Sequence, residues 1–195
     1  MHAALRPLLF ILCAATLPAA AEDAPESKKC LWHWHHKSEF AWQVQANFPS
    51  KDLGRALDSR TGLGLGMQWT RDRGHGITNR TRLEWNVFPE GNPVGTDAIK
   101  TKASNYVLSF DRLYHFSGED RGVYILGGLG AVRWFLDRTP VDGPRASSHT
   151  TKLAVTAGAG FRFNHAVAAE ARYMVSTIDR TYDGNVLQAS VSMRF

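Results

Sequence analysis

The residues from Asn185 to Phe195 alternate without a break. Leu187, Ala189, Val191, Met193 and Phe195 fall on one side of an extended backbone, and Gln188, Ser190, Ser192 and Arg194 fall on the other. Side chains alternate across a strand with a period of two, so the segment has one apolar and one polar face. A lone strand of this kind leaves its backbone donors and acceptors unpaired and must join a sheet. The expectation is that it closes a ring to which every earlier segment of the mature chain contributes.

Seven earlier segments carry the same signal. In Glu39 to Phe48, residues Phe40, Trp42, Val44, Ala46 and Phe48 oppose Ala41, Gln43, Gln45 and Asn47. Thr61 to Thr70 sets Leu63, Leu65, Met67 and Trp69 against Gly62, Gly64, Gly66 and Gln68, and Ile77 to Phe88 sets Leu83, Trp85 and Val87 against Arg80, Arg82, Glu84 and Asn86. Ala103 to Phe116 has Tyr106, Leu108 and Phe110 against Asn105, Ser109 and Asp111. Val123 to Phe135 is mostly apolar on both sides, so its facing is left open. Thr151 to Phe163 alternates Leu153, Val155, Ala157, Ala159, Phe161 and Phe163 with Lys152, Thr156, Gly158, Gly160 and Arg162. The seventh sets Val167, Ala169, Ala171, Tyr173 and Val175 against Glu170 and Arg172.

The connections alternate in length. Pro49 to Arg60, Pro89 to Lys102, Asp137 to Thr150 and Ser176 to Gly184 read as long loops; Arg71 to Gly76, Ser117 to Gly122 and Asn164 to Ala166 read as tight turns. In an up-and-down meander this places all long loops at one end. An even number of strands with short turns on one side and long loops on the other is the pattern of a bacterial outer-membrane barrel, with both termini on the periplasmic side.

The N-terminus agrees. Arg6, an apolar run from Leu8 to Leu17, and Ala19, Ala20 and Ala21 read as a secretory signal over 1–21, cleaved after Ala21. Residues 22–38 form a periplasmic lead-in, and 39–195 form one barrel domain. Lys and Arg number 23 against 18 Asp and Glu, a spread surplus that does not argue for nucleic acid. No mature segment is apolar for long enough to be a spanning helix. Cys13 leaves with the signal, so Cys30 has no partner for an internal disulfide.

Residues 39–195 resemble the small eight-stranded outer-membrane barrels of the OmpA/OmpX type, in the group of outer membrane protein beta-barrel domains. The resemblance is carried by Phe-Ala-Trp-Gln-Val-Gln-Ala-Asn-Phe at 40–48, Ala-Gly-Ala-Gly-Phe-Arg-Phe at 157–163, Glu-Ala-Arg-Tyr at 170–173 and the terminal Phe195. It implies an all-β, eight-stranded antiparallel up-and-down transmembrane β-barrel in the bacterial outer membrane. It also implies that Gln188, Ser190, Met193 and Phe195 are the signal read by the barrel-assembly machinery. Ser190 stands where glycine is usual, and Met193 where an aromatic is common.

A soluble barrel of lipocalin type would show the same alternation with the faces exchanged. Glycines opposite long charged side chains favour a crowded polar interior instead. With Trp69 opposite Ile77, Gly66, Gly64 and Gly62 would face Arg80, Arg82 and Glu84; with Phe163 opposite Val167, Gly160 and Gly158 would face Glu170 and Arg172. Aromatics gather near strand ends as two girdles: Phe48, Trp85, Tyr106 and Trp134 at the loop end, and Phe40, Trp69, Phe116, Phe161, Phe163 and Phe195 at the turn end.

Eight strands enclose a space that side chains about fill. The inward set is Arg82, Glu84, Asp111, Lys152, Arg162, Glu170, Arg172, Gln188 and Arg194. Buried charges persist when paired, so a salt-bridged plug is expected, with Glu170 between Arg162 and Arg194 and a second cluster around Arg82 and Glu84. Such a barrel would be a poor pore, with a structural or surface-interaction role through its loops. A narrow porin is the alternative, and a lipid A-modifying enzyme a weaker one. Ser147, Ser148 and His149 are neighbours in a loop and cannot by themselves form a catalytic triad. No catalytic, cofactor or metal site is expected; His33, His35 and His36 near Cys30 carry metal-ligand chemistry, but an unstructured lead-in accounts for them. The expected surroundings are outer-membrane lipid and lipopolysaccharide, with the assembly machinery as a transient partner, no ligand named by the loops, and a monomeric state. No peptidoglycan-binding domain is expected after the barrel.

Overall fold

A computed structural model of the chain describes residues 38–91, 99–117, 121–140, 143–179 and 182–195. The strands are β1 (Ser38–Pro49), β2 (Gly62–Asp72), β3 (Ile77–Gly91), β4 (Ile99–His115), β5 (Gly122–Pro140), β6 (Ala146–Arg162), β7 (Val167–Ser176) and β8 (Val186–Arg194), with one short helix, α1 (Lys51–Ala56), after β1. Each pairs antiparallel with its sequence neighbours, and β8 returns to β1 in a register that sets Val44 opposite Val191 and Phe48 opposite Leu187. The sheet is therefore a closed up-and-down barrel with no free edge, the condition for strands to satisfy their backbone in lipid. The Phe195 amide donates to the Phe40 carbonyl at 3.2 Å, fixing the seam at the turn end.

Alternation sorts the faces as the sequence implies. On β1, Gln43, Gln45 and Asn47 are buried while Trp42, Val44 and Phe48 are exposed. The facing of β5, open from sequence, is settled: Tyr124, Leu126, Val132, Trp134 and Leu136 point into the bore, and Val123, Ile125 and Leu129 point out. The exposed aromatics form the expected girdles, with Trp85 stacked on Tyr106 at the loop end and Phe161 edge-on to Phe163 at the turn end. Trp134 is a correction. It is completely buried, because β5 turns it inward against Phe88.

Several boundaries differ from expectation. Lys100, Lys102, Ser147 and His149, expected in long loops, continue the strands, so β4, β5 and β6 reach 17, 19 and 17 residues. Above the apolar band a ladder-paired strand can be polar on both faces, and its composition then resembles a loop. The first long loop folds locally into α1, which is too short to show helical periodicity. The β2 and β3 register also moves. Gly74, His75 and Gly76 all take positive φ and make a turn so tight that β2 runs on to Asp72. Trp69 consequently faces Thr81 rather than Ile77, Gly66 faces Glu84, and Gly64 faces Asn86. Across β6 and β7 the expected register holds, with Gly160 facing Glu170 and Gly158 facing Arg172.

Candidate functional site: a layered bore and its loop-end cap

The middle of the bore holds three arginines and three carboxylates. Their side chains are at most 5% exposed. Glu170, from β7, accepts from Arg80 Nη1 at 2.7 Å, Arg82 Nη2 at 2.6 Å and the Tyr124 hydroxyl at 3.0 Å. Asp111, from β4, accepts from Arg80 Nε and Nη2 at 3.2 and 3.0 Å and from Thr156 Oγ1 at 3.1 Å. Glu84, from β3, receives Arg82 Nη1 at 3.2 Å, Gln43 Nε2 at 3.0 Å and Arg172 Nη2. Arg172 also reaches Gln188 through Nε at 2.9 Å. The guanidinium fork suits this role, since each planar group serves several carboxylates at once. Buried ions survive in this way, with opposite charges balanced and lone pairs filled by hydrogen bonds.

An amide ladder lies beside the ions toward the loop end. Asn47 Nδ2 donates to Asn86 Oδ1 at 2.9 Å, Asn86 Nδ2 to Asn105 Oδ1 at 2.8 Å, and Gln188 Nε2 to Asn47 Oδ1 at 3.0 Å. Four strands are thereby tied together through their interior side chains.

The expected pairing changes accordingly. Glu170 does not sit between Arg162 and Arg194; it takes Arg80 and Arg82, which the closing register of β3 brings nearer. Arg194 pairs with Glu39 on the neighbouring strand at the turn end, where Arg162 is also buried. Lys152 points inward but half-buried, above the ion layer and outside its described bonds. Arg82, Glu84, Asp111, Glu170 and Arg172 do converge. Arg80, missing from the inward set, bonds both Asp111 and Glu170, although its place on the polar face of β3 was visible in the alternation. Tyr124 was hidden by the apolar character of β5. Met193 and Phe195 of the C-terminal pattern face outward, and Gln188 and Ser190 face inward.

Above the ions the bore turns apolar. Phe88, Val107, Val132, Trp134, Leu136 and Met174 fill it, and Leu53 and Leu57, the latter just beyond α1, are completely buried over them. The α1 segment is clasped to the connection after β7: Ser50 N–H donates to the Asn185 carbonyl at 3.0 Å, Lys51 Nζ lies 3.2 Å from Asp183 Oδ2, and the Asp183 N–H donates to Asp52 Oδ2 at 3.3 Å. From the other side, Arg138 lies over the Tyr182 ring at 5.3 Å. Burial there holds the Tyr182 phenol above its ordinary pKa. Gly91 permits the approach, since a Cβ at that position would stand 2.6 Å from the Ala56 carbonyl oxygen.

A model of the outer membrane protein beta-barrel domain matches residues 8–195. The chain belongs to that family. As a member of the outer membrane protein beta-barrel domain family it is a protein of the bacterial outer membrane, and its exposed belt of Leu, Val and aromatic side chains is its lipid-facing surface. Among solved structures it is similar in fold to Ail of Yersinia pestis, with a TM-score of 0.58 and 16% identity over 81% of this chain and 97% of Ail, in a complex with the heparin analogue sucrose octasulfate. It is also similar to the N-terminal barrel of Pseudomonas aeruginosa OprF, with a TM-score of 0.53 and 11% identity over 80% of this chain and 97% of that domain. No curated protein sequence matches it.

The remaining candidates take simple places. Ser147 Oγ donates to Asp137 Oδ1 at 2.6 Å, and the His149 ring packs on Phe135 at 6.4 Å, so no histidine lies between the serine and the acid. Ser148 falls on the opposite face of β6 from both. Cys30, His33, His35 and His36, like the signal and most of the lead-in, lie outside the described residues. Among the described residues, no group of three or more potential ligands is placed to hold a metal ion.

Proposed function

We propose that the protein is a sealed outer-membrane scaffold whose loop end faces the outside and carries its interactions. The observation that supports this most is the double filling of the bore: a charge-balanced ion layer beneath an apolar layer that α1 covers. An ion entering from the loop end would cross a layer offering it no ligands, then a layer whose own charges are already neutralised at hydrogen-bonding distance. Both raise the barrier to permeation. The same filling makes the barrel stiff, and a stiff base is what presented loops require.

The presented surface combines the clasped α1 platform with the upright extension of β4, β5 and β6. Outer-membrane lipid and lipopolysaccharide are its surroundings in this reading. The barrel-assembly machinery is its partner in biogenesis, through Gln188, Ser190, Met193 and Phe195, and the working unit is the monomer. No reaction is assigned to it. Recordings on planar bilayers with the purified mature protein test the proposal. Flat traces are expected, whereas a stable open level of large conductance would replace the scaffold with a pore.

A further inference from the structure

Near the turn end, cations interrupt the apolar outer surface of β2 to β4. Arg112, on β4, points outward between Phe110 and Tyr114, which are 61% and 50% exposed. A cation on the lipid face of a barrel carries a cost that grows with depth, so an intramembrane charge needs a partner. Arg112 has no described ion pair or hydrogen bond to protein. Two strands away on the same outward row stands Arg71, likewise exposed and without a described side-chain partner, with Asn79 between them. Asp72, the acid next in sequence, turns its carboxylate to the Gly74 amide instead.

Neighbouring strands lie about 4.8 Å apart, so the two arginine Cα atoms are about 10 Å apart. Two extended guanidiniums can meet over that gap, above the Asn79 amide. On the far side of Arg112 the row continues to Gly127, where a Cβ would meet only the Thr156 carbonyl oxygen, at 4.0 Å, and surface space is open. Exposed Trp69, Phe110, Tyr114 and Phe116 mark this part of the wall as the boundary between apolar band and headgroups.

We propose that Arg71, Asn79 and Arg112 form a binding site for the phosphodiester of an anionic phospholipid in the leaflet at the turn end. Guanidinium groups bind phosphate oxygens through paired charge-assisted N–H donors, and two converging forks distinguish a net anionic headgroup from a zwitterionic one, whose own ammonium group opposes them. Acyl chains would continue along the apolar wall past Phe110. The site rests on the barrel spanning a membrane and is independent of which way the loops point.

The test uses the mature protein in phosphatidylethanolamine vesicles containing a minor share of phosphatidylglycerol with a photoreactive headgroup, and the labelled peptides are mapped by mass spectrometry. Labelling should concentrate on residues 69–81 and 108–116. It should fall at least about five-fold in Arg71→Gln/Arg112→Gln, since both charge-assisted forks are lost, and be unchanged in Arg55→Gln on α1. The single variants replace the double one if it fails to give a folded, heat-modifiable band. Equal labelling of these peptides by a photoreactive phosphatidylcholine would overturn the proposal, as would labelling indifferent to the substitutions.

Discussion

Gly160 and Glu170 face one another across β6 and β7, and the space left by the missing side chain is occupied by the Tyr124 ring, whose hydroxyl donates to Glu170 at 3.0 Å. A Cβ at position 160 would lie 2.3 Å from Tyr124 Cζ and 2.8 Å from the Ala169 carbonyl oxygen. The ring cannot retreat without giving up its carboxylate, and the strand cannot retreat without breaking its ladder. Gly160→Ala should therefore destabilise the barrel by about 1–3 kcal/mol, the usual range for overpacking. Urea unfolding from lipid vesicles would show it as a lower midpoint with an unchanged slope.

Glu170→Gln removes one of three carboxylates that balance three arginines. Arg80 and Arg82 then share too little negative charge in a buried setting, a situation that costs about 3–5 kcal/mol when one partner of a buried pair is removed. The loss should be much smaller in a variant that also carries Arg80→Met. A double-mutant cycle in urea measures that coupling, and additive losses would mean the two residues are not paired as described.

Leu57→Ala empties a completely buried position in the cap. It should cost about 2–5 kcal/mol of local stability, as large-to-small core substitutions do. The connection carrying α1 should then be cut faster by added protease, while the traces on planar bilayers stay flat because the ion layer beneath is untouched. Conductance in this variant would show that the cap alone seals the bore.

Deletion of Phe195 removes an 82% exposed ring and the amide that bonds to the Phe40 carbonyl. Membrane insertion in cells should fall far more than on replacing the residues of any single loop with Gly and Ser. The comparison of unheated and heated membrane fractions on a gel reads this directly, the folded barrel migrating faster.

The outer wall was legible in the sequence because lipid and a polar bore demand opposite chemistry on alternate residues. Where the bore itself is apolar that contrast vanishes. Leu126, Val132 and Trp134 face inward on β5 while Val123, Ile125 and Leu129 face outward, so the strand is apolar on both faces along most of its length, and both its facing and the cap were hidden. The ion layer was legible as a set of charges but not as pairs. Partner choice depends on register, and the β2 to β3 register hinged on left-handed backbone at Gly74, His75 and Gly76. The role of α1 was out of reach for another reason: Leu53 and Leu57 are ordinary loop residues until the bore below them is known to be apolar.

The strands are unequal in length, which matters to anything that approaches the loop end. β5 has 19 residues and β8 has 9, a difference worth roughly 30 Å along the strand direction at about 3.3 Å per residue. The rim is thus a parapet on one flank and a low sill on the other. A visitor arriving over β7 and β8 meets the clasped helix, while one arriving over β4 to β6 meets an upright sheet first. Two binders could occupy the molecule together at different heights, and a long surface glycan that buries the sill would still leave the parapet within reach.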